Sequence, residues 1–372
     1  MLYTDNDLQT PFYIIDESLV KKNLEILKYV KDETGCKILL AQKAFSMFSM
    51  YPLLAKYLDG TTASGLFEAK LGHGYFKKEN HIFSPAYQSH EFDEVASICS
   101  HIVFNSFAQL KKFRHRLKNN SVGVRVNPEA STQGKAIYDP CSEGSRLGVT
   151  IDNFDCSEPI DGIHFHTLCE QNSDALAVTL KAVEGKFSKY FKNIKWLNFG
   201  GGHHITREGY DLGLLISEIR RVKEKYNVEV ILEPGEAVVL NAGFLVSSVL
   251  DIVRNGIDIA ILDTSAACHM PDVLEVPYRP IVIGSAGQGV KKYSFRLGGP
   301  TCLAGDIIGD YSFDEKIVPG DKLVFCDMAL YTMVKNNTFN GMNLPSIAVL
   351  SENREINLVK SFGYDDFKSR LS

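Results

Sequence analysis

The chain has 372 residues, 45% hydrophobic and 23% charged, a balance that suits a folded globular protein and excludes a disordered or fibrous one. That length exceeds one ordinary domain and fits a large α/β barrel with a further module. The net charge of −5 argues against nucleic acid or an anionic membrane surface as a partner and suits a cationic small molecule.

The first residues, "MLYTDNDLQTPFYIID", contain no apolar run of signal-peptide length. Glu17 to Thr34 carries an apolar stripe at Leu19, Val20, Leu24, Leu27 and Val30, and Gly35 closes the predicted helix. Apolar runs at 37–41, 81–84, 101–105, 122–127, 160–166, 194–202 and 228–235 predict strands. Between them lie helix-forming segments such as Ala175–Tyr190 and Leu212–Tyr226. Strand–helix units of about 25–30 residues, repeated this often, predict a (β/α)8 TIM-type barrel over residues 16–245. The longest apolar stretch, "AVVLNAGFLVSSVL" (237–250), is too short to span a bilayer, so no membrane association is expected.

Beyond residue 245 the helices vanish. Runs at 243–263, 278–284, 293–299, 321–327 and 346–350, separated by Gly-Pro, Pro-Gly and Asn-Gly signals, predict a C-terminal antiparallel β-domain. This domain is expected to cover 246–372 and to take in the N-terminal strand within 1–15. The eight cysteines include no CxxC pair, which suggests neither a zinc site nor a disulfide framework and points to a reducing cytoplasm.

In a barrel, chemistry gathers at the C-terminal ends of the strands. Lys43, His166, Gly200–Gly202 and Glu233 all fall at such ends. Lys43 follows the run "KILLA"; a partly desolvated amine there is a Schiff-base candidate, and a solvated strand-end lysine is the bland alternative. Three glycines in "NFGGGHHIT" let backbone N–H groups approach a phosphate, or form only a flexible turn. "HFH" sets His164 and His166 on one strand face, as a ring stacked on a flat cofactor, a metal pair or a hydrogen-bonded interior histidine. No acidic cluster completes a metal site at a familiar spacing. "EPGE" (233–236) ends another strand with a carboxylate, of the kind that keeps a pyridinium nitrogen protonated. "GGPTC" offers Cys302 as a proton donor or as a small buried apolar residue.

Taken in order, Lys43, "HFHTLCEQ", "NFGGG", "EPGE", "GGPTC" and "CDMALYTMVKNNTFNG" resemble the pyridoxal-phosphate decarboxylases of alanine racemase fold type. Within that group, "AQKAFS", "SRLGV", "EPGEAV" and "CHMPDVLEVPY" look most like the carboxynorspermidine/carboxyspermidine decarboxylases of polyamine biosynthesis. The resemblance implies pyridoxal 5'-phosphate held covalently by Lys43, with His166 stacked on its ring and Glu233 at its ring nitrogen. It also implies a phosphate cradle of Gly200, Gly201, Gly202, Gly235 and the Tyr331 hydroxyl. Ser64 and Arg146 match further cofactor-contacting positions. Cys302 is implied to come from the partner subunit of a homodimer with shared active sites and to protonate the product carbon.

Diaminopimelate decarboxylases read EPGR, where this chain has Glu236. An acid there repels a second carboxylate and attracts an amine, so a small cationic polyamine substrate is expected, met by Glu236, Asp272 and Asp306. The alternatives are diaminopimelate, ornithine or arginine as substrate, or an inactive cofactor-binding relative.

Overall fold

After β1 (Phe12–Asp16) and the helix Glu17–Thr34, the chain runs through eight short strands in the computed structural model, which describes residues 3–4, 7–155 and 157–372. These are β2 (Lys37–Ala41), β3 (Gly60–Ala63), β4 (Glu79–Ser84), β5 (His101–Phe104), β6 (Ser121–Arg125), β7 (Gly162–His164), β8 (Trp196–Asn198) and β9 (Glu229–Leu232). They are all parallel and close into a barrel, β2 pairing with both β3 and β9. The helix before β2 ends where Gly35 adopts φ +60° and its N–H donates to the Lys31 carbonyl (2.7 Å), the left-handed stop its sequence predicts.

β3, "GTTA", is absent from the strands predicted above because it is short and half polar. Its glycine is dictated by packing, since a Cβ at Gly60 would lie 2.0 Å from the Glu79 carbonyl oxygen. The single tryptophan explains two further strand glycines. A Cβ on Gly123 or Gly162 would meet the Trp196 ring at 2.2 or 2.0 Å. The indole lies across β6 and β7 and donates Nε1–H to Ser121 Oγ (2.8 Å). Inside the barrel Trp196 joins Leu39, Val103 and Ile231 in one cluster. Outside, Ile102, Phe104, Val122 and Val124 meet Phe92, Phe107, Leu110 and Phe113, with Phe92 and Phe113 stacked at 4.1 Å. Each fully buried phenylalanine contributes about 1.5–3 kcal/mol.

Crossover helices are started by local caps. Ser106 Oγ accepts the Gln109 N–H before the helix Phe107–Phe113, and Asp211 Oδ1 accepts the Leu214 N–H before Leu212–Tyr226. The helix predicted over 175–190 spans Ser173–Phe191, begun by Asn172.

The second unit contains the residues up to Lys21 together with Val239–Ser372, the barrel unit being Lys22–Val238. Its strands are β10 (Gly243–Asn255), β11 (Ile257–Leu262), β12 (Ala286–Gly287), β13 (Tyr293–Gly298), β14 (Ile307–Phe313), β15 (Lys322–Cys326), β16 (Ser346–Leu350) and β17 (Ile356–Lys360). With β1 they form one sheet in the order β12-β14-β13-β11-β10-β1-β16-β17, with β15 also on β10. Most pairs are antiparallel, but β1 runs parallel to β16, and β11 to β13. Alternation along β1 serves two cores: Phe12 and Ile14 pack with Val246, Val324 and Leu350, whereas Tyr13 packs with Leu245, Phe295 and Phe325.

Three details differ from the sequence expectation. The run 243–263 is two strands turned at Gly256 (φ +73°). The segment 278–284 forms only an isolated bridge, Val282 to Phe325. β12, β14 and β17 were not predicted: β12 is two residues long, and "IIGDYSF" and "INLVK" carry glycine, charge or exposed positions that break a clean apolar run. No helix among the described residues is long and apolar enough to cross a membrane.

Candidate active site

The pocket lies at the C-terminal ends of the barrel strands. It has a volume of about 270 Å³ and is lined by Lys43, Ser64, Arg125, Arg146, His164, His166 and Glu233, with Phe83 and Thr62 among the walls. Six of these, Lys43, Ser64, Arg146, His164, His166 and Glu233, are residues the sequence singles out as site candidates.

Lys43 sits in the turn after β2. That turn is pinned by the Gln42 N–H on the Thr62 carbonyl (3.1 Å), the Ala44 N–H on the Ala41 carbonyl (3.1 Å) and the Tyr51 hydroxyl on Gln42 Oε1 (2.9 Å). Its side chain is exposed to the open pocket, whose walls crowd around it. This crowding and the Arg125 guanidinium lower its pKa, and the Glu233 carboxylate opposes the shift. More of the amine is therefore unprotonated than on an open surface.

Glu233 follows β9 and is buried. Burial alone would raise its pKa. Contact with His164 and a hydrogen bond from Asn198 Nδ2 to Oε1 (2.8 Å) outweigh this and hold the carboxyl down at about 2. His166 accepts the Gly201 N–H on Nδ1 (3.0 Å), and burial with the Lys43 and Arg125 charges keeps its pKa well below the ordinary histidine value. Its ring is thus a neutral, flat wall.

Gly200 (φ +69°) and Gly202 (φ +81°) occupy the left-handed region, so the run after β8 turns sharply. A Cβ on Gly201 would lie 2.5 Å from the Glu233 carbonyl oxygen and 3.1 Å from His166 Cε1, and one on Gly235 would meet Ala44 Cβ at 2.5 Å. The strand ends bear bare backbone because nothing larger fits. Glu236 heads the short helix Glu236–Val239, and its charge reaches Lys43 and Cys169.

Sequence reading missed Arg125. Its signal was an arginine inside the apolar run "VGVRVN". It is buried, donates Nη2–H to the His166 carbonyl (2.9 Å) and stacks over Phe83 at 4.7 Å. A second group was also missed. Glu79, His81 and His101 bring ligand-type atoms within 4.8 Å near the N-terminal ends of β4 and β5. Lys37 already holds Glu79 Oε1 (2.5 Å), and the two imidazoles are stacked at 3.9 Å and 22°. Two stacked, near-parallel rings cannot both hold one ion in their planes, so this geometry is that of a charge network.

Cys302, Asp306, Asp272 and Tyr331 belong to the second unit. Cys302 is exposed, and its N–H donates to Asn340 Oδ1 (2.9 Å). Asp306 is buried and accepts from Ser265 Oγ (2.8 Å), Thr301 Oγ1 (2.7 Å) and the Ala267 N–H (3.1 Å), which ties down the loop carrying Cys302. Asp272 is paired with Lys335, which also holds Glu275 (2.6 Å). Tyr331 has φ +47°, a strained backbone of the kind that sites retain for aiming a side chain.

The donor set fits pyridoxal phosphate: a depressed lysine, a carboxylate kept ionised and a neutral flat imidazole face one cavity, and the tight glycine run lies against His166 and Glu233. Buried His164 adds two ring nitrogens that have no hydrogen-bond partner among the described residues.

Comparison with known proteins agrees. The family described as "Pyridoxal-dependent decarboxylase, C-terminal sheet domain" matches residues 12–329. The carboxynorspermidine/carboxyspermidine decarboxylase of Campylobacter jejuni is 44% identical over 376 residues, covering 98% of both chains. The carboxyaminopropylagmatine decarboxylase of Synechocystis is 40% identical over 372 residues, covering 98% of this chain and 96% of that one. The crystal structure of carboxynorspermidine decarboxylase complexed with norspermidine, from Campylobacter jejuni, superposes with a TM-score of 0.93 at 43% identity, over 98% of this chain and 100% of that one. With a matching barrel and sheet domain, this chain belongs to the pyridoxal-dependent decarboxylases.

Proposed function

We propose that this decarboxylase acts on carboxynorspermidine or carboxyspermidine, releasing norspermidine or spermidine for polyamine biosynthesis. The observation that carries the reading is the end-to-end likeness to relatives of that name, and Glu236 at the barrel mouth agrees with it. A carboxylate there favours an amine-bearing tail over a second carboxylate.

When bound, pyridoxal phosphate supplies the electron sink that receives the bonding pair left by the departing carboxylate. Lys43 would hold it covalently, since its lowered pKa leaves more of the amine unprotonated. His166 would cover one ring face. Gly200, Gly201, Gly202 and Gly235 would hold the phosphate, and Ser64, Arg146 and Arg125 line the neighbouring cavity. Glu233, ionised, would accept from the ring nitrogen and keep it protonated. The Cys302 thiol would give its proton to the carbon that lost carbon dioxide, and the thiolate would regain one from solvent, so each turnover consumes one proton. In this reading the chain is a cytoplasmic homodimer, and Cys302 serves the site of the second copy. Asp272 and Asp306 would each have to exchange present partners to meet an amine.

A second reading, carboxyaminopropylagmatine as substrate, is favoured by the Synechocystis relative, since Glu236 would pair with a guanidinium equally well. Purified protein with pyridoxal phosphate is assayed for carbon dioxide from carboxynorspermidine, carboxyspermidine, carboxyaminopropylagmatine, diaminopimelate, ornithine and arginine. Turnover confined to the first two supports the proposal. Preference for the third selects the second reading, and turnover of diaminopimelate without the carboxylated polyamines defeats both.

A further inference from the structure

His164 lines the pocket, and the family resemblance assigns it no role. It ends β7, in register with Asn198 at the end of β8, which in turn is in register with Ile231 of β9 two residues before Glu233. Parallel pairing therefore sets His164, Asn198 and Glu233 side by side across three neighbouring strands. Asn198 Oδ1 accepts the Gly200 N–H (2.8 Å), which fixes the carboxamide so that Nδ2 donates to Glu233 Oε1 (2.8 Å). On the other side of the carboxylate, His164 Nε2 stands 3.4 Å from Oε2. The separation lies within ion-pair range but outside hydrogen-bond geometry, and both ring nitrogens are buried without a hydrogen-bond partner among the described residues. The histidine is 2% exposed, with the Phe83 ring tilted against it at 5.5 Å.

A buried imidazole without partners is costly, by about 1–3 kcal/mol for each unmet polar group, unless something in the pocket uses it. The nearest acceptor is Glu233 Oε2. Burial lowers the His164 pKa; Glu233 opposes this, and Arg125 and Lys43 reinforce it. The ring is accordingly neutral, with a single N–H to offer. The charged and titratable groups around the pair are Arg125 from β6, Lys43 after β2, His166 beyond β7 and His81 from β4.

We propose that His164 is a positioning residue for Glu233: with Asn198 it clamps the carboxylate from both oxygens and keeps it ionised and aimed at the pocket. The role rests on the proposed placement of Glu233 at the ring nitrogen. A small rotation of either side chain closes the 3.4 Å gap to a hydrogen bond, and Nε2–H then donates to Oε2. Without that donor, burial of Glu233 dominates, and its carboxyl takes a proton at higher pH. A neutral carboxylic acid no longer draws the ring nitrogen into its protonated state, and the electron sink weakens while the covalent anchor at Lys43 is untouched.

The test compares His164→Leu with His164→Gln, which keeps an N–H donor. In the apo-protein, the Glu233 carboxyl is titrated by infrared difference spectroscopy, with Glu233→Gln assigning the band. The Leu variant is expected to protonate Glu233 at least one pH unit higher than wild type, and the Gln variant close to wild type. In the loaded enzyme, the Leu variant is expected to retain the visible cofactor band and a KM within threefold of wild type. Its kcat is expected to fall by about 10–100-fold, largely restored by Gln. An unmoved Glu233 titration in the Leu variant overturns the proposal, as does equal loss in Leu and Gln tracking a shared drop in Tm. If wild type itself shows no cofactor band, the placement of Glu233 fails instead, an outcome the infrared titration of the apo-protein keeps separate.

Discussion

Gly201→Ala isolates the close packing on which the site depends. Unlike Gly200 and Gly202, Gly201 is outside the left-handed region, so alanine brings no backbone strain and acts only through its added carbon. That carbon would stand 2.5 Å from the Glu233 carbonyl oxygen, where ordinary contact begins at 3.4 Å, so one strand end must retreat by about 0.9 Å (3.4 − 2.5). It would also press on His166 Cε1 at 3.1 Å. Both neighbours are site residues, and a misplacement near 1 Å costs about 100-fold in rate. Overpacking costs about 1–3 kcal/mol of stability, which leaves a protein of this size folded at 25 °C with Tm lowered by a few degrees. The assay is carbon dioxide release beside a circular-dichroism melt. Gly185→Ala is the control, because Gly185 lies within the helix Ser173–Phe191 with nothing within 4 Å of an added Cβ. It should keep the wild-type rate and gain up to about 1 kcal/mol. Gly201→Ala with kcat/KM within threefold of wild type would refute the argument.

Two further outcomes follow from the same geometry. Asp306→Ala strands the donors of Ser265, Thr301 and Ala267 and should cost about 3 kcal/mol, with Asp306→Asn recovering part; a urea midpoint equal to wild type, with unchanged Cys302 alkylation, contradicts the loop-anchoring role. His101 is held at about 3, chiefly by burial and then by His81, against an ordinary 6.5, so the unfolded chain takes up its proton first and stability falls as pH drops from 6.5 toward 3. Glu79 adds to that fall below 4.5: burial raises its pKa, but His81 and Lys37 hold it at about 2. His101→Asn should flatten the Tm-against-pH curve between pH 7 and 5, and parallel curves for the two proteins would rule this out.

What could be seen in the sequence follows from how each feature is encoded. Seven of eight barrel strands are apolar runs because both sheet faces are covered, and such burial writes itself as composition. β3 escapes because its fit depends on Gly60 lying against the Glu79 backbone, a contact between residues 19 apart that no local window contains. The same holds for β17, whose outer residues are exposed and whose place is set by pairing with β16. Segment 278–284 errs the other way: it is apolar enough for a strand, but among the described residues it makes only the Val282 bridge.

The site divides along the same line. Lys43, Glu233 and the glycines stand out because each is the wrong residue for the place local patterning assigns it: a cation after a buried run, an acid ending one, three residues with no side chain. Arg125 is the same kind of anomaly and was available to the same reasoning. His164 is different. A histidine in an apolar strand reads equally as packing, ligand or stack, and its meaning lies in the registry of three strands whose ends are brought together only when the barrel closes. Residues proposed to contact the cofactor are legible as local anomalies. Those that hold them in place become visible only with the fold, and in this barrel the difference is between Glu233 and the histidine that stands 3.4 Å behind it.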